Sequence, residues 1–260
     1  MEKPTAKTGW LWVKEGFKLF LKQPAELLTL FFAYMFLSMA IGILPVVGQF
    51  LPLMLIPVFA MSFMQACRQI EQGKRVYPNL LLIGFRSPAF LRLLQLGVLY
   101  VVAVVLAIAV SSLVDDGALW DFVFGQKPMD NQAMRESQLF TGMMVAALVY
   151  LPAMMAFWYA APLIAWNQMP VGKAVFYSFF AVQKAGGAFT VYGLAWMVLS
   201  VLLPTLLSVL VAVIVGQAVV VVLVVIPITI VLTVIMYSSF YPTYTDVFGR
   251  PDEGNQDTKA

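Results

Sequence analysis

The sequence predicts an all-α integral membrane protein: six transmembrane helices arranged as three hairpins, each preceded by an amphipathic helix lying in the plane of the cytoplasmic face. Two observations predict it. Residues 27–67, 93–114, 137–172 and 185–245 contain no Asp, Glu, Lys or Arg. A hydrocarbon core about 30 Å thick is crossed by about 20 helical residues at about 1.5 Å each, so the four blocks hold two, one, one and two crossings. The composition agrees, because 62% apolar and 11% charged residues leave too few polar side chains to cover a water-soluble globule.

Taken in chain order, the first unit opens on Lys3, Lys7, Lys14, Lys18 and Lys22, without a long apolar run or an Ala-x-Ala site before the first span. A cleaved signal peptide is not expected. Trp10, Val13, Phe17 and Phe20 recur at helical spacing beside the row Lys14, Lys18 and Lys22, the pattern of a helix lying on a membrane. Spans near 25–45 and 50–68 follow, joined at about 46–49. In the second unit Pro78 interrupts the segment before the span, and Leu80 to Ile83 show no single face. Arg86 and Arg92 flank the start of a third span near 91–113. The connection at 114–138 carries Asp115, Asp116, Asp121, Asp130 and Glu136 around Leu119-Trp120 and Phe122-Val123-Phe124, which suits a short interfacial helix. A long fourth span near 139–167 follows. The third unit places Val175, Phe176, Phe179 and Phe180 between Lys173 and Lys184, then spans near 189–213 and 218–241.

The three units share features beyond their order. Gly73-Lys74 leads to Ala89-Phe90 as Gly172-Lys173 leads to Ala188-Phe189, and Lys22-Gln23-Pro24-Ala25 parallels Arg86-Ser87-Pro88-Ala89. Repeat units of 8–72, 74–170 and 172–249 are therefore expected within a single membrane domain, 1–249, with 250–260 as a disordered tail. Each returning helix contains an aliphatic-Pro step at Pro57, Pro152 or Pro227. Kinks are expected there because proline removes a ladder donor. Pro162 and Pro204 add further breaks.

Charge sets the expected orientation. Fourteen of the sixteen basic residues fall on one side of these spans, against Lys127 and Arg135 on the other. By the positive-inside tendency both termini are cytoplasmic.

The chemistry is sparse. The chain has no His, which removes imidazole ligation and imidazole acid–base catalysis. The lone Cys67 cannot form an internal disulfide, and it reads as a packing residue. No ionisable side chain falls near the centre of a span, which disfavours a proton-coupled pump. Glu26 and Asp246 stand at span ends. The uncharged polar residues are Gln49, Ser62, Gln65, Ser200, Ser208 and Gln217, and they define no pocket. No phosphate-binding glycine loop, metal-spaced ligand set or serine with a base is present, so no catalytic or metal-ligating residue is assigned and no enzyme is expected.

The start Gly9-Trp10-Leu11-Trp12-Val13-Lys14-Glu15-Gly16-Phe17, the Pro45/Gly48/Pro52 hairpin and the exit Phe240-Tyr241-Pro242-Thr243-Tyr244-Thr245-Asp246-Val247-Phe248-Gly249 together resemble an uncharacterised family of proteobacterial six-span inner-membrane proteins. The exit is also distantly similar to that of the membrane domain fused to some glycerophosphodiester phosphodiesterases. This chain lacks their catalytic domain and its metal-binding residues, so that activity is not implied. The resemblance implies a bacterial inner membrane and a lipid or envelope role.

The expectation is a non-enzymatic inner-membrane protein of the cell envelope that engages membrane lipids or a membrane-protein partner, with no cofactor and no nucleic acid. Lys14, Lys18, Lys22, Arg86, Arg92, Lys173 and Lys184 are its headgroup candidates. The alternative is a channel or facilitator for a small neutral or amphiphilic solute, routed along the helices kinked at Pro57, Pro152 and Pro227.

Overall fold

A computed structural model describes residues 4–44, 48, 50–125 and 138–251. Lys3, Gln49, Lys127, Asp130, Arg135, Glu136, Lys259 and the expected tail from residue 252 onward lie outside the described residues. Among the described residues there are helices and turns and no strand. The α-helices are α1 (Ala6–Lys22), α2 (Pro24–Gly42), α3 (Leu51–Glu71), α4 (Phe90–Asp115), α5 (Ala118–Phe124), α6 (Leu139–Phe157), α7 (Ala160–Ala165), α8 (Val171–Lys184), α9 (Gly186–Met197), α10 (Leu203–Val215) and α11 (Ala218–Phe248).

Among the described residues, six stretches are long and apolar enough to cross a membrane: Pro24–Gly42, Leu51–Glu71, Phe90–Asp115, Leu139–Ala165, Gly186–Ile214 and Val219–Phe248. Their surfaces suit hydrocarbon rather than water, since Met39, Leu113 and Val213 are 70%, 83% and 79% exposed. Sequential spans touch one another, α2 against α3, α4 against α6 and α10 against α11. The sixth span, α11, runs past the expected end at 241 to Phe248. Tyr241 and Tyr244 are buried there against the Trp166 ring, and that packing holds the last two turns in helix despite Pro242.

Contacts between the connections gather the basic residues at one end of the bundle. Gln23 donates to the Lys74 carbonyl at 2.8 Å, Arg92 to the Gln168 carbonyl at 2.8 Å, and Arg75 pairs with Glu26 at 3.2 Å. The core sits in this basic end, where Tyr159, Tyr244, Phe59, Leu27 and Leu93 are fully enclosed. Among the described residues from 197 to 231, by contrast, only Pro204 is buried. At the opposite end Asp115 is buried. Its carboxylate accepts the Gly117 and Leu119 N–H groups at 3.0 and 3.1 Å, capping α5 at donors the helix leaves unpaired.

The helices continue through Pro57, Pro152 and Pro227, each losing one ladder bond inside a long run of others. The interruptions fall at the two further prolines. Turns at Trp158 and Tyr159 separate α6 from α7 ahead of Pro162, and a π-helical turn, Val198–Leu202, separates α9 from α10 ahead of Pro204. Proline removes the bond to the carbonyl four residues back and crowds it, which a wider turn relieves. The Thr205 hydroxyl donates to the Val201 carbonyl at 2.7 Å.

The segments expected to lie in the membrane plane differ from one another. α1 packs lengthwise on α9 and α11 through Gly9, Trp12, Val13, Gly16, Leu19 and Phe20. Val13 and Phe20 of the expected stripe are buried in that contact, while Trp10 is 45% exposed. The packed face is centred on two glycines, which carry no apolar side chain and so drop out of a stripe sought by hydrophobicity. A Cβ on Gly16 would lie 2.5 Å from the Ser239 Cβ; only glycine permits so close an approach. In the second unit, Pro78–Leu82 forms a 3-10 turn and not an α-helix. The third segment is the regular helix α8.

Candidate functional site

The placement of α8 depends on the break in the fourth span. At Met155 to Tyr159 the ladder opens, and the Ser178 hydroxyl of α8 enters the gap: it accepts the Tyr159 N–H at 2.9 Å and donates to the Met155 carbonyl at 2.9 Å. One hydroxyl thereby satisfies both groups of the missing bond, as buried backbone requires. Ser178 shares its face with Ala174 and Val182, also buried, so α8 approaches the bundle along a line of small side chains.

That packing turns the aromatic side of α8 outward. Phe176, Tyr177 and Phe180 are 60%, 47% and 48% exposed. Of the expected stripe, Phe176 and Phe180 lie on this surface, whereas Val175 and Phe179 are half-buried. Lys173 stands at one end, its Nζ 5.6 Å from the centre of the Tyr177 ring, within cation–π range. Lys184 stands at the other, beside a groove of about 330 Å³ formed with Phe180 and Phe248. Neither lysine makes an ion pair among the described residues.

A second groove, of about 550 Å³, runs between α1 and the end of α11. It brings Lys18 and Lys22 of the expected basic row together with residues of the Tyr241-to-Asp246 exit. Trp12 Nε1 donates to Asp246 at 3.2 Å, the Tyr241 hydroxyl to Glu71 at 2.7 Å, and Arg250 pairs with Glu71 at 3.0 Å. Lys18 is held by Glu15 at 2.6 Å. Lys14 stands apart from this groove, its Nζ 5.8 Å from the Trp10 ring. Mixed charge of this kind ties α1 and the end of α3 to the end of α11, and its exposed ion pairs add little stability.

The remaining candidates are not gathered with these. Arg86 lies on the turn before α4, and Arg92 is engaged by the Gln168 carbonyl. Pro57, Pro152 and Pro227 lie within three separate spans. Sequence reasoning missed Ser178, Glu71 and the role of Trp12. A serine on an amphipathic helix has the signature of a surface residue, and no periodicity announces a contact between elements distant in the chain.

No family model matches the chain, and no solved structure matches it. Over 202 residues it is 41% identical to a probable inner membrane protein of Burkholderia thailandensis, an alignment covering 76% of this chain and 75% of that one. Identity of that extent, across a chain in which every described span is helical and apolar, places this protein in the family of that probable inner membrane protein.

Proposed function

We propose that this is a non-enzymatic inner-membrane protein that engages the lipids of the cytoplasmic leaflet, with α8 as its principal contact surface. The observation that carries the reading is the outward aromatic face of α8 between Lys173 and Lys184, which make no ion pair among the described residues. Three large rings exposed on one helix are unfavourable in water. At headgroup depth the same rings are buried among acyl chains while the lysines reach phosphates, the arrangement of an interfacial helix. The architecture that goes with it is three hairpins with both termini cytoplasmic, α8 and α1 on that side, and a bacterial inner-membrane location. The basic end of the bundle supports the orientation by the positive-inside tendency. The distant likeness of the exit to phosphodiesterase-linked membrane domains belongs to the same reading, as a lipid role without the enzyme.

Each lysine near an anionic surface contributes about 1 kcal/mol of attraction. Native mass spectrometry of the full chain from mixed phosphatidylglycerol and phosphatidylethanolamine membranes reads this directly. Wild type is expected to retain the anionic lipid in preference, and the Lys173→Gln/Lys184→Gln double variant to lose most of that preference. Equal retention of both lipids by both proteins would overturn the reading.

A further inference from the structure

We infer that the cavity between α3, the turn at residues 83–88 and Trp166 binds a lipid whose headgroup is a phosphate. The cavity has a volume of about 310 Å³, at the small end of ligand pockets. Met61, Gln65 and Arg68 line it from successive turns on one face of α3, the i, i+4, i+7 spacing that points side chains the same way. Arg86 and Ser87 face them from the turn.

That turn is fixed by its backbone. The Ser62 hydroxyl donates to the Leu81 carbonyl at 2.9 Å. Gly84 sits so near α3 that a Cβ there would lie 2.5 Å from the Val58 carbonyl oxygen. The Arg68 guanidinium lies 6.0 Å from the centre of the Trp166 ring, which forms the far wall. Both arginines are thus delivered to one small volume by elements that cannot easily separate.

The chemistry of the lining selects the ligand. Among the described residues the lining holds the guanidinium groups of Arg68 and Arg86 and no carboxylate, and Arg86, on which the phosphate contact turns, makes no ion pair among them. A planar guanidinium offers paired donors that match phosphate oxygens, which a lysine ammonium does not. Gln65 adds an amide donor for a further oxygen. Met61, Ile83 and Leu93 supply the rest of the wall, so the complement is a phosphate attached to an apolar body, as in phosphatidic acid. The site deepens the lipid-contact reading and rests on it only in placing this end of the bundle at a leaflet. It differs from α8 in taking one phosphate by shape, where α8 meets any anionic surface.

The test follows thermal unfolding of the full chain in neutral detergent against phosphatidic acid, diacylglycerol and inorganic phosphate. Phosphatidic acid is expected to raise Tm for wild type and equally for Lys173→Gln/Lys184→Gln. Arg86→Gln, whose side chain is exposed and whose ligand-free Tm should match wild type, is expected to bind at least about tenfold more weakly. Arg86→Lys should recover only part of that loss. The proposal is overturned if Arg86→Gln responds as wild type does. It is equally overturned if diacylglycerol raises Tm as much, which leaves apolar contact alone, or if inorganic phosphate does, which makes the ligand a free anion. Loss of the response in the lysine variant but not in Arg86→Gln would move binding to α8 and remove this site while sparing the surface reading.

Discussion

Ser178 shows how much a single hydroxyl carries in an apolar interior. Its Oγ lies 2.9 Å from both the Tyr159 nitrogen and the Met155 oxygen, groups that an unbroken helix would pair with each other. Ser178→Ala leaves both without a partner where water does not compensate, at a cost of about 1–3 kcal/mol. Thermal or denaturant unfolding in detergent should show that loss, and an unchanged midpoint would mean that the gap closes without the hydroxyl. The sequence indicated part of this. Pro162 marked a break in the fourth span, but which hydroxyl would repair it depended on how α8 docks. The charged candidates behave alike in this respect: Lys14, Lys18 and Lys22 form a row on α1, yet Trp10, Glu15 and the α11 exit decide what each one meets.

At the scale of elements, the spans were legible because a bilayer dictates length and apolarity whatever the neighbours are. The short helices were not, because their faces are set by partners. α1 is the clearest instance: its stripe of large apolar residues points near, but not along, the face that packs, and Gly9 and Gly16 mark the true centre. Gly16→Ala is therefore expected to displace α1 from α11 and to destabilise by about 1–3 kcal/mol. The control is Gly172→Ala, because a Cβ at Gly172 meets nothing within 4 Å; it should stay within about 0.5 kcal/mol. The check is the rate of limited proteolysis after Lys18 and Lys22 together with the unfolding midpoint. Equal behaviour of the two variants would show that α1 docking does not depend on the glycine contact. The prolines teach a related lesson. A missing donor is the same event at Pro57, Pro152, Pro227 and Pro204, but the π turn forms only before Pro204.

For the whole molecule, the uneven packing matters most. The basic end holds the enclosed aromatic and aliphatic core, whereas from residue 197 to 231 the fifth and sixth spans are covered mainly by each other. Enclosed packing is thus concentrated at the end of the bundle that carries α1, α8, the residue 83–88 turn and the last turns of α11, which is also where the lipid contacts are proposed. The sequence pointed to that end through its fourteen basic residues and could not show that α8, rather than α1, carries the outward aromatic face. The claim on which the functional account turns is that this face rests among lipid headgroups. The most direct measurement is the immersion depth of a spin label at position 180, introduced as Phe180→Cys in a Cys67→Ser background and reconstituted in liposomes, from its accessibility to oxygen and to a water-soluble relaxation agent. The account predicts a label at the headgroup–acyl boundary, reached by oxygen and shielded from the aqueous agent. A label freely reached by the aqueous agent, as in bulk water, would contradict it.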